Sequence, residues 1–285
     1  MNQFNLLKHI IATCDEALIE AFQKRMSLSG SLAESKQDLG REIFDDDDEL
    51  RYVQQIAAQF PPDLTLKATS LWSSLTRMHR GQQYRWILKK NEDGRLLHEQ
   101  HMAGSVPEGP VAFPAAIAGD LPDELTDRLP CPTVQEAIDA ACSGRATRVL
   151  LRDDSAGDAD SVCLAFYRSE LYINSVTPAK NGRMLYALPD RLVLADDANT
   201  MTLAFAVKRN YGSLTQALSI LAEAKLNIER MRLRRSIPGD GHPDDLVFID
   251  LSGDFTNLET RAALYQMEKE MYFFRVLGFW DRSAL

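Results

Sequence analysis

The chain lacks most of the motifs that announce a chemistry. Its four cysteines (Cys14, Cys131, Cys142, Cys163) form no CxxC pair. They are expected to be buried small apolar residues of a reduced protein, not a disulfide framework. There is no metal-ligand cluster, no glycine-rich phosphate loop and no nucleophile motif. No apolar run reaches the ~18 residues of a membrane span. The opening MNQFNLLKHIIATCDEAL interrupts its apolar stretch with charge, unlike a signal peptide. The cytoplasm is the expected location, with no membrane contact. A net charge of -9 argues against nucleic acid as a partner.

What is present fits a soluble globular protein, with 45% hydrophobic and 26% charged residues in 285. Three segments follow from the patterning. Residues 1–103 are helical. Leu7, Ile11, Cys14, Leu18, Phe22 and Arg25 recur at spacings of three and four, and Leu28 and Leu32 continue the stripe. This predicts one long amphipathic helix stopped at Gly40. The aspartates 45–48 cap a second helix carrying Leu50, Val53 and Ile56. Phe60-Pro61-Pro62 breaks it. A third helix shows Leu64, Ala68, Leu71, Leu75 and Met78. Three helices cannot bury so long a first helix, and an intertwined homodimer is the expected remedy.

Residues 104–198 predict a small α/β unit. A capping-box pair at Thr133 and Glu136 starts a helix that Gly144 ends. Strands are expected at Val149–Leu151, Val162–Tyr167 and Leu171–Val176. Residues 199–285 read as βαββαβ, a ferredoxin-like sandwich. Its strands fall at Thr202–Val207, Leu226–Leu233, Leu246–Leu251 and Phe274–Phe279. Helices occupy Leu214–Ala224 and the stretch through Ala263, Met267 and Met271, and a loop spans Pro238–Pro243.

Arg25 and Lys36 lie eleven residues apart. Eleven steps of ~100° return to nearly the same direction, so both cations project from one stripe of the first helix, about three turns apart. Beside an apolar seam, such a pair suits a small dianion. The plain alternative is a pair of seam-edge residues that reach out to solvent.

The third segment resembles an ACT domain, closest to that of prephenate dehydratases. The stretches that carry the resemblance are Phe205–Leu214, Leu226-Asn227-Ile228, Val247–Leu251 and Arg275–Trp280. The first segment resembles an all-helical chorismate mutase, from Leu7-Lys8 through Asp15-Glu16, Arg25, Lys36, Asp45 and Glu49 to Trp72, His79 and Gln83. Together the ends resemble the fused chorismate mutase/prephenate dehydratase family of phenylalanine biosynthesis. That resemblance implies an α-plus-α/β multidomain chain. Its parts are a helical mutase-like domain (1–103), a shortened dehydratase-like segment (104–198) and a regulatory ACT domain (199–285).

It also implies a reaction, chorismate to prephenate, that uses no cofactor and no metal. Arg25 would hold a carboxylate, Lys36 and Gln83 would donate to the ether oxygen, and Glu49 would take the ring hydroxyl. Asp45 would line the pocket. Lys8 stands where the family carries an arginine that reaches the partner subunit's site. Asp48 replaces a second arginine, and His79 a small hydroxyl residue. In the middle segment Asp190 occupies the place of a catalytic threonine, so no dehydratase activity is expected. Effector binding would involve Gly212, Ser213 and Leu214, with Arg232 and Arg234 lying where the family has Glu-Ser-Arg-Pro. Two other readings stay open: a non-catalytic regulator that binds an aromatic metabolite or amino-acid effector, and a mutase acting on an amino derivative of chorismate.

Overall fold

The computed structural model describes residues 2–90, 96, 99, 102–154, 159–179, 182–194, 197–208, 212–235 and 245–284. The expected loop at Pro238–Pro243 and the Arg209–Tyr211 part of the resemblance lie outside them. The helices are α1 (Gln3–Ser27), α2 (Ser29–Asp38), α3 (Asp46–Ala57), α4 (Thr65–Lys90), α5 (Val134–Cys142), α6 (Ala159–Arg168), α7 (Ser213–Glu223) and α8 (Leu258–Glu270). The strands are β1 (Met102–Ala103), β2 (Val111–Pro114), β3 (Arg128–Cys131), β4 (Arg148–Asp154), β5 (Leu171–Ala179), β6 (Gly182–Pro189), β7 (Leu192–Val193), β8 (Thr200–Val207), β9 (Asn227–Arg234), β10 (Asp245–Ser252) and β11 (Phe274–Trp280). The chain forms two compact units. One holds residues 1–94 and 261–270, the other residues 95–260 and 271–285. Among the described residues no helix is long and apolar enough to cross a membrane.

In the helical unit, the expected single long helix is two. Leu28 sits between α1 and α2 at φ -83°, ψ -7°, and its N–H bonds back to the Arg25 carbonyl at 3.3 Å. The break falls in Ser27-Leu28-Ser29-Gly30-Ser31, and Ser/Gly runs are a common cause of kinks. Packing reinforces it. A Cβ at Gly30 would lie 2.7 Å from the Trp86 ring on α4, so the α2 backbone rests directly on that indole. Gly40 stops α2 as expected. It adopts φ +62°, and the Arg41 N–H closes onto the Lys36 carbonyl at 2.8 Å, a Schellman cap. Asp45 caps α3, accepting from the Asp48 N–H at 3.0 Å. A small core joins Ala33, Ile43, Tyr84 and Ile87, with Trp86 and Tyr265 against it.

The apolar stripe of α1 is not buried as a seam. The helix has no buried residue, and Ile11 and Leu18 stay 59% and 63% exposed. Cys14 on the same helix is exposed, as is Cys142, whereas Cys131 is buried as expected; the Cys163 side chain lies outside those described.

The second unit is built on one mixed sheet of nine strands, in the order β3-β2-β4-β6-β5-β11-β8-β10-β9. The strands of residues 104–198 and 199–285 therefore share a sheet. They meet where β11 runs parallel to β5, at Gly278 beside Ile173. A Cβ on Gly278 would stand 2.0 Å from the Ile173 carbonyl oxygen, so this approach needs glycine. The last four strands lie in the order β11-β8-β10-β9, the arrangement of a βαββαβ unit. A separate two-stranded sheet pairs β1 with β7 in parallel.

Residues 162–167, expected as a strand, belong to α6. Val162, Ala165 and Phe166 recur at helical spacing and face the core. Arg275 fastens the end of α6, donating from Nη1 to the Phe166 and Ser169 carbonyls at 2.8 Å each. The Thr133–Glu136 cap forms, with the Glu136 N–H donating to Thr133 Oγ1 at 3.1 Å. Gly144 follows α5 at φ +75°. The strand β6, buried from Met184 to Leu188, escaped the sequence reading.

Candidate functional site

The helical unit contains a cavity of about 1170 Å³ whose walls come from the α1–α2 break, the α2–α3 connection, α3 and α4. Arg25, Lys36, Asp45, Asp48, Glu49, His79 and Gln83 all line it. Lys8 does not. It stays exposed on α1 with its ammonium 4.6 Å from the Phe4 ring.

The cations are placed by local structure. Arg25 lies in the last turn of α1, and its Nη1 donates to the Tyr52 hydroxyl at 3.3 Å. Lys36, half-buried on the last turn of α2, donates from Nζ to the Ile43 carbonyl at 2.5 Å. Burial, and next the Arg80 guanidinium, pull its pKa below the ordinary lysine value, while Glu49, Asp45 and Asp48 oppose them. Arg41 lines the same cavity, held at its place by the Schellman cap. The break at Leu28 does not separate Arg25 from Lys36, because both still face one cavity.

Arg80 is the residue the sequence reading missed. It is buried on α4 and grips Glu270 with two bonds, Nε to Oε1 at 2.7 Å and Nη2 to Oε2 at 2.9 Å. Its Nη1 donates to Glu49, and the guanidinium stands 4.5 Å from the Phe44 ring. Burial alone would weaken its hold on the proton. The Glu270 and Glu49 carboxylates more than reverse this and raise its pKa above the ordinary arginine value. Glu49 is thus fixed from two sides, since Thr76 Oγ1 donates to its other oxygen at 2.8 Å. Asp48 carries an ion pair with exposed Arg51, one turn on.

Two buried side chains in the wall keep unpaired polar atoms. Gln83 is 2% exposed. Its Nε2 makes one weak bond, 3.4 Å to the His79 carbonyl, and its Oε1 has no partner. A half-turn of the amide would exchange its donor and acceptor and sacrifice only that bond. His79 Nε2 is likewise unpaired. Burial, then the charges of Arg25 and Lys36, lower the His79 pKa, which keeps the imidazole neutral at pH 7. Buried polar atoms left open in a cavity wall are where a ligand's own groups complete the set.

In the second unit, Gly212 takes φ +83° and precedes α7, with Ser213 and Leu214 in the first turn of that helix. Val207 pairs with Asp245 and Arg234 with Leu246, so the Gly212 turn and Arg234 belong to one end of the sheet. Arg232 turns elsewhere and pairs with Asp153. Asp190 sits in the left-handed region at φ +53°, its N–H bonded to the Glu170 carbonyl at 2.8 Å.

No protein-family model and no curated protein sequence matches the chain. Among solved structures, the prephenate dehydratase of Arthrobacter aurescens in complex with L-Phe is similar at TM-score 0.50 and 14% identity, over 61% of this chain and 90% of that one. The quorum quenching acylase GqqA gives 0.48 and 22% identity over 62% and 97%. The prephenate dehydratase of Streptococcus mutans gives 0.47 and 16% over 61% and 97%. At such identities the first likeness shows the fold alone, a mixed α/β architecture with a large mixed sheet.

Proposed function

We propose that the helical unit is a chorismate mutase of phenylalanine biosynthesis. The observation that carries this reading is the meeting of Arg25, Lys36, Glu49 and Gln83 on one cavity, with buried Gln83 Oε1 and His79 Nε2 in its wall left without a hydrogen-bond partner. The reaction is a concerted rearrangement in which the ether C–O bond breaks as a C–C bond forms. It needs no nucleophile, only a clamp for the compact conformer and donors at the oxygen that gains charge. Arg25, with Arg41, holds carboxylates. Lys36 and Gln83 donate to the ether oxygen. Glu49, aimed by Arg80 and Thr76, accepts the ring hydroxyl. The chain acts as a homodimer through the bare face of α1. Asp190 in place of a threonine leaves the second unit without dehydratase activity, and the Gly212 turn with Arg234 is the candidate seat of an amino-acid effector.

A second reading has its own support. Four cations (Arg25, Lys36, Arg41, Arg80) and five carboxylates (Glu42, Asp45, Asp46, Asp48, Glu49) line the cavity. That balance suits a substrate that pairs its carboxylates with an ammonium, such as an amino derivative of chorismate. A panel of chorismate and amino-substituted relatives, followed by absorbance, separates the two. Binding without turnover of any of them would leave a non-catalytic regulator.

A further inference from the structure

The nine-stranded sheet closes on itself through side chains. Arg183 on β6 donates from Nη1 to Asp250 on β10 at 2.6 Å, although β5, β11 and β8 lie between those strands in the sheet. Arg230 on β9 reaches Asp153 on β4 at 2.6 Å across a still longer interval. The sheet must curl until its two flanks face each other. Cross-strand register prepares this. Asp153 stands opposite Arg183, and Asp250 opposite both Arg230 and Thr202. Thr202 donates to Asp250 at 2.7 Å and accepts from Trp280 Nε1 at 2.9 Å. Burial would raise the Asp153 carboxyl, but the guanidiniums of Arg183, Arg230 and Arg232 hold it below the usual range.

Closure does not use up the arginines. A pocket of about 310 Å³ opens beside the network, walled by Gly182, Arg183, Glu229, Arg230, Asp250, Trp280 and Arg282. Three guanidiniums face two carboxylates there. Asp250 already accepts from Arg183 and Thr202. Glu229 already accepts from Arg282, Asn227 and Ser252. The side chains of Arg230 and Arg282 each give one hydrogen bond, and that of Arg183 gives two. Each guanidinium has five N–H groups. Most of these donors therefore have no hydrogen-bond partner among the described residues, while every oxygen of the two carboxylates already accepts at least one bond. Arg230 and Arg282 are partly open, at 34% and 47% side-chain exposure, so a solute can reach them.

We propose that this pocket binds a small metabolite through an oxyanion group, a carboxylate or a phosphate, gripped by Arg183, Arg230 and Arg282. The volume is at the lower end for small-molecule sites, which sets the size class. Planar forked guanidiniums suit both groups, since each offers oxygens in one plane to parallel N–H donors. The site shares no residue with the helical cavity.

Calorimetric titration of the full chain, in low salt and a buffer free of both anions, tests this with inorganic phosphate and malonate as probes. At least one should bind saturably, and Arg230→Gln and Arg282→Gln should each weaken it by about ten-fold or more, the loss of one charge-assisted bond pair. Arg145→Gln, at an exposed arginine outside both cavities, should leave it unchanged. Binding of phosphate alone assigns a phosphate-bearing ligand, and binding of malonate a carboxylate. The two arginines lie on different elements and are partly exposed, so both variants should keep the wild-type circular dichroism, and one well-folded variant suffices. Saturation by neither anion, or binding that survives both changes or disappears with Arg145→Gln, would overturn the proposal.

Discussion

Arg80 and Glu270 are joined by two parallel hydrogen bonds of 2.7 and 2.9 Å, with side chains only 8% and 3% exposed. The residues are separated by 190 positions, yet this pair stands directly behind Glu49 in the cavity wall. Truncating Arg80 to methionine would leave two carboxylates without their cation. Removal of one member of a buried pair costs about 3–5 kcal/mol. Chemical denaturation of Arg80→Met should show a loss of this order. The double change with Glu270→Met should recover part of it, because the more deeply buried of the two carboxylates is then no longer stranded. Additive losses would contradict the coupling.

Gly278 carries the junction between β5 and β11. Adding a Cβ 2.0 Å from a backbone carbonyl cannot be relieved by a side-chain shift. Gly278→Ala should lower the thermal midpoint sharply, or prevent soluble folding. Gly119→Ala, where nothing lies within 4 Å, should change it little. Equal behaviour of the two variants would refute the close approach.

His79 sets a pH dependence. Its folded-state pKa lies below the ordinary 6.5, because burial and then Arg25 and Lys36 disfavour the imidazolium. The unfolded chain takes up this proton first as the pH falls through 6.5, so stability drops from there down to the lower folded-state value and is unaffected above 6.5. Urea midpoints between pH 7.5 and 5 should fall less steeply for His79→Gln than for the wild type. A slope unchanged by the substitution would argue against a buried neutral imidazole.

Part of this cavity is legible in the sequence: Arg25 and Lys36 share a helical direction, whereas Glu49, His79 and Gln83 enter only through the resemblance to an all-helical mutase. Arg80 is harder to read. In Arg77-Met78-His79-Arg80 it looks like one more solvated charge, and its partner is remote in sequence. A local signal does exist. Arg80 follows Thr76 by four residues and precedes Gln83 by three, which puts it on their buried face. The break at Leu28 could be anticipated from the flanking Ser27, Ser29 and Gly30. The α6 segment could not be settled by pattern, since a short apolar run fits both a buried strand and a helix face, and the fastening by Arg275 is a tertiary contact. The curl that brings Asp153 to Arg230 depends on strand order, which no local pattern records.

The exposed apolar face of α1 predicts self-association. Ile10, Ile11, Leu18, Ile19 and Phe22 form a stripe too large for a lone soluble helix to leave in water. Sedimentation should show a dimer, and Leu18→Glu should shift it to monomer while preserving helix content. A wild-type protein that sediments as a monomer at all concentrations would refute this use of the face.

The most direct measurement is the loss of chorismate absorbance on adding the purified chain, with prephenate as the product. The clamp described above predicts turnover that falls by about two orders of magnitude or more in Lys36→Ala and Gln83→Ala, which remove the ether-oxygen donors. Arg25→Ala and Arg41→Ala should chiefly raise KM. No prephenate at any enzyme concentration, or turnover indifferent to Lys36 and Gln83, would contradict the assignment.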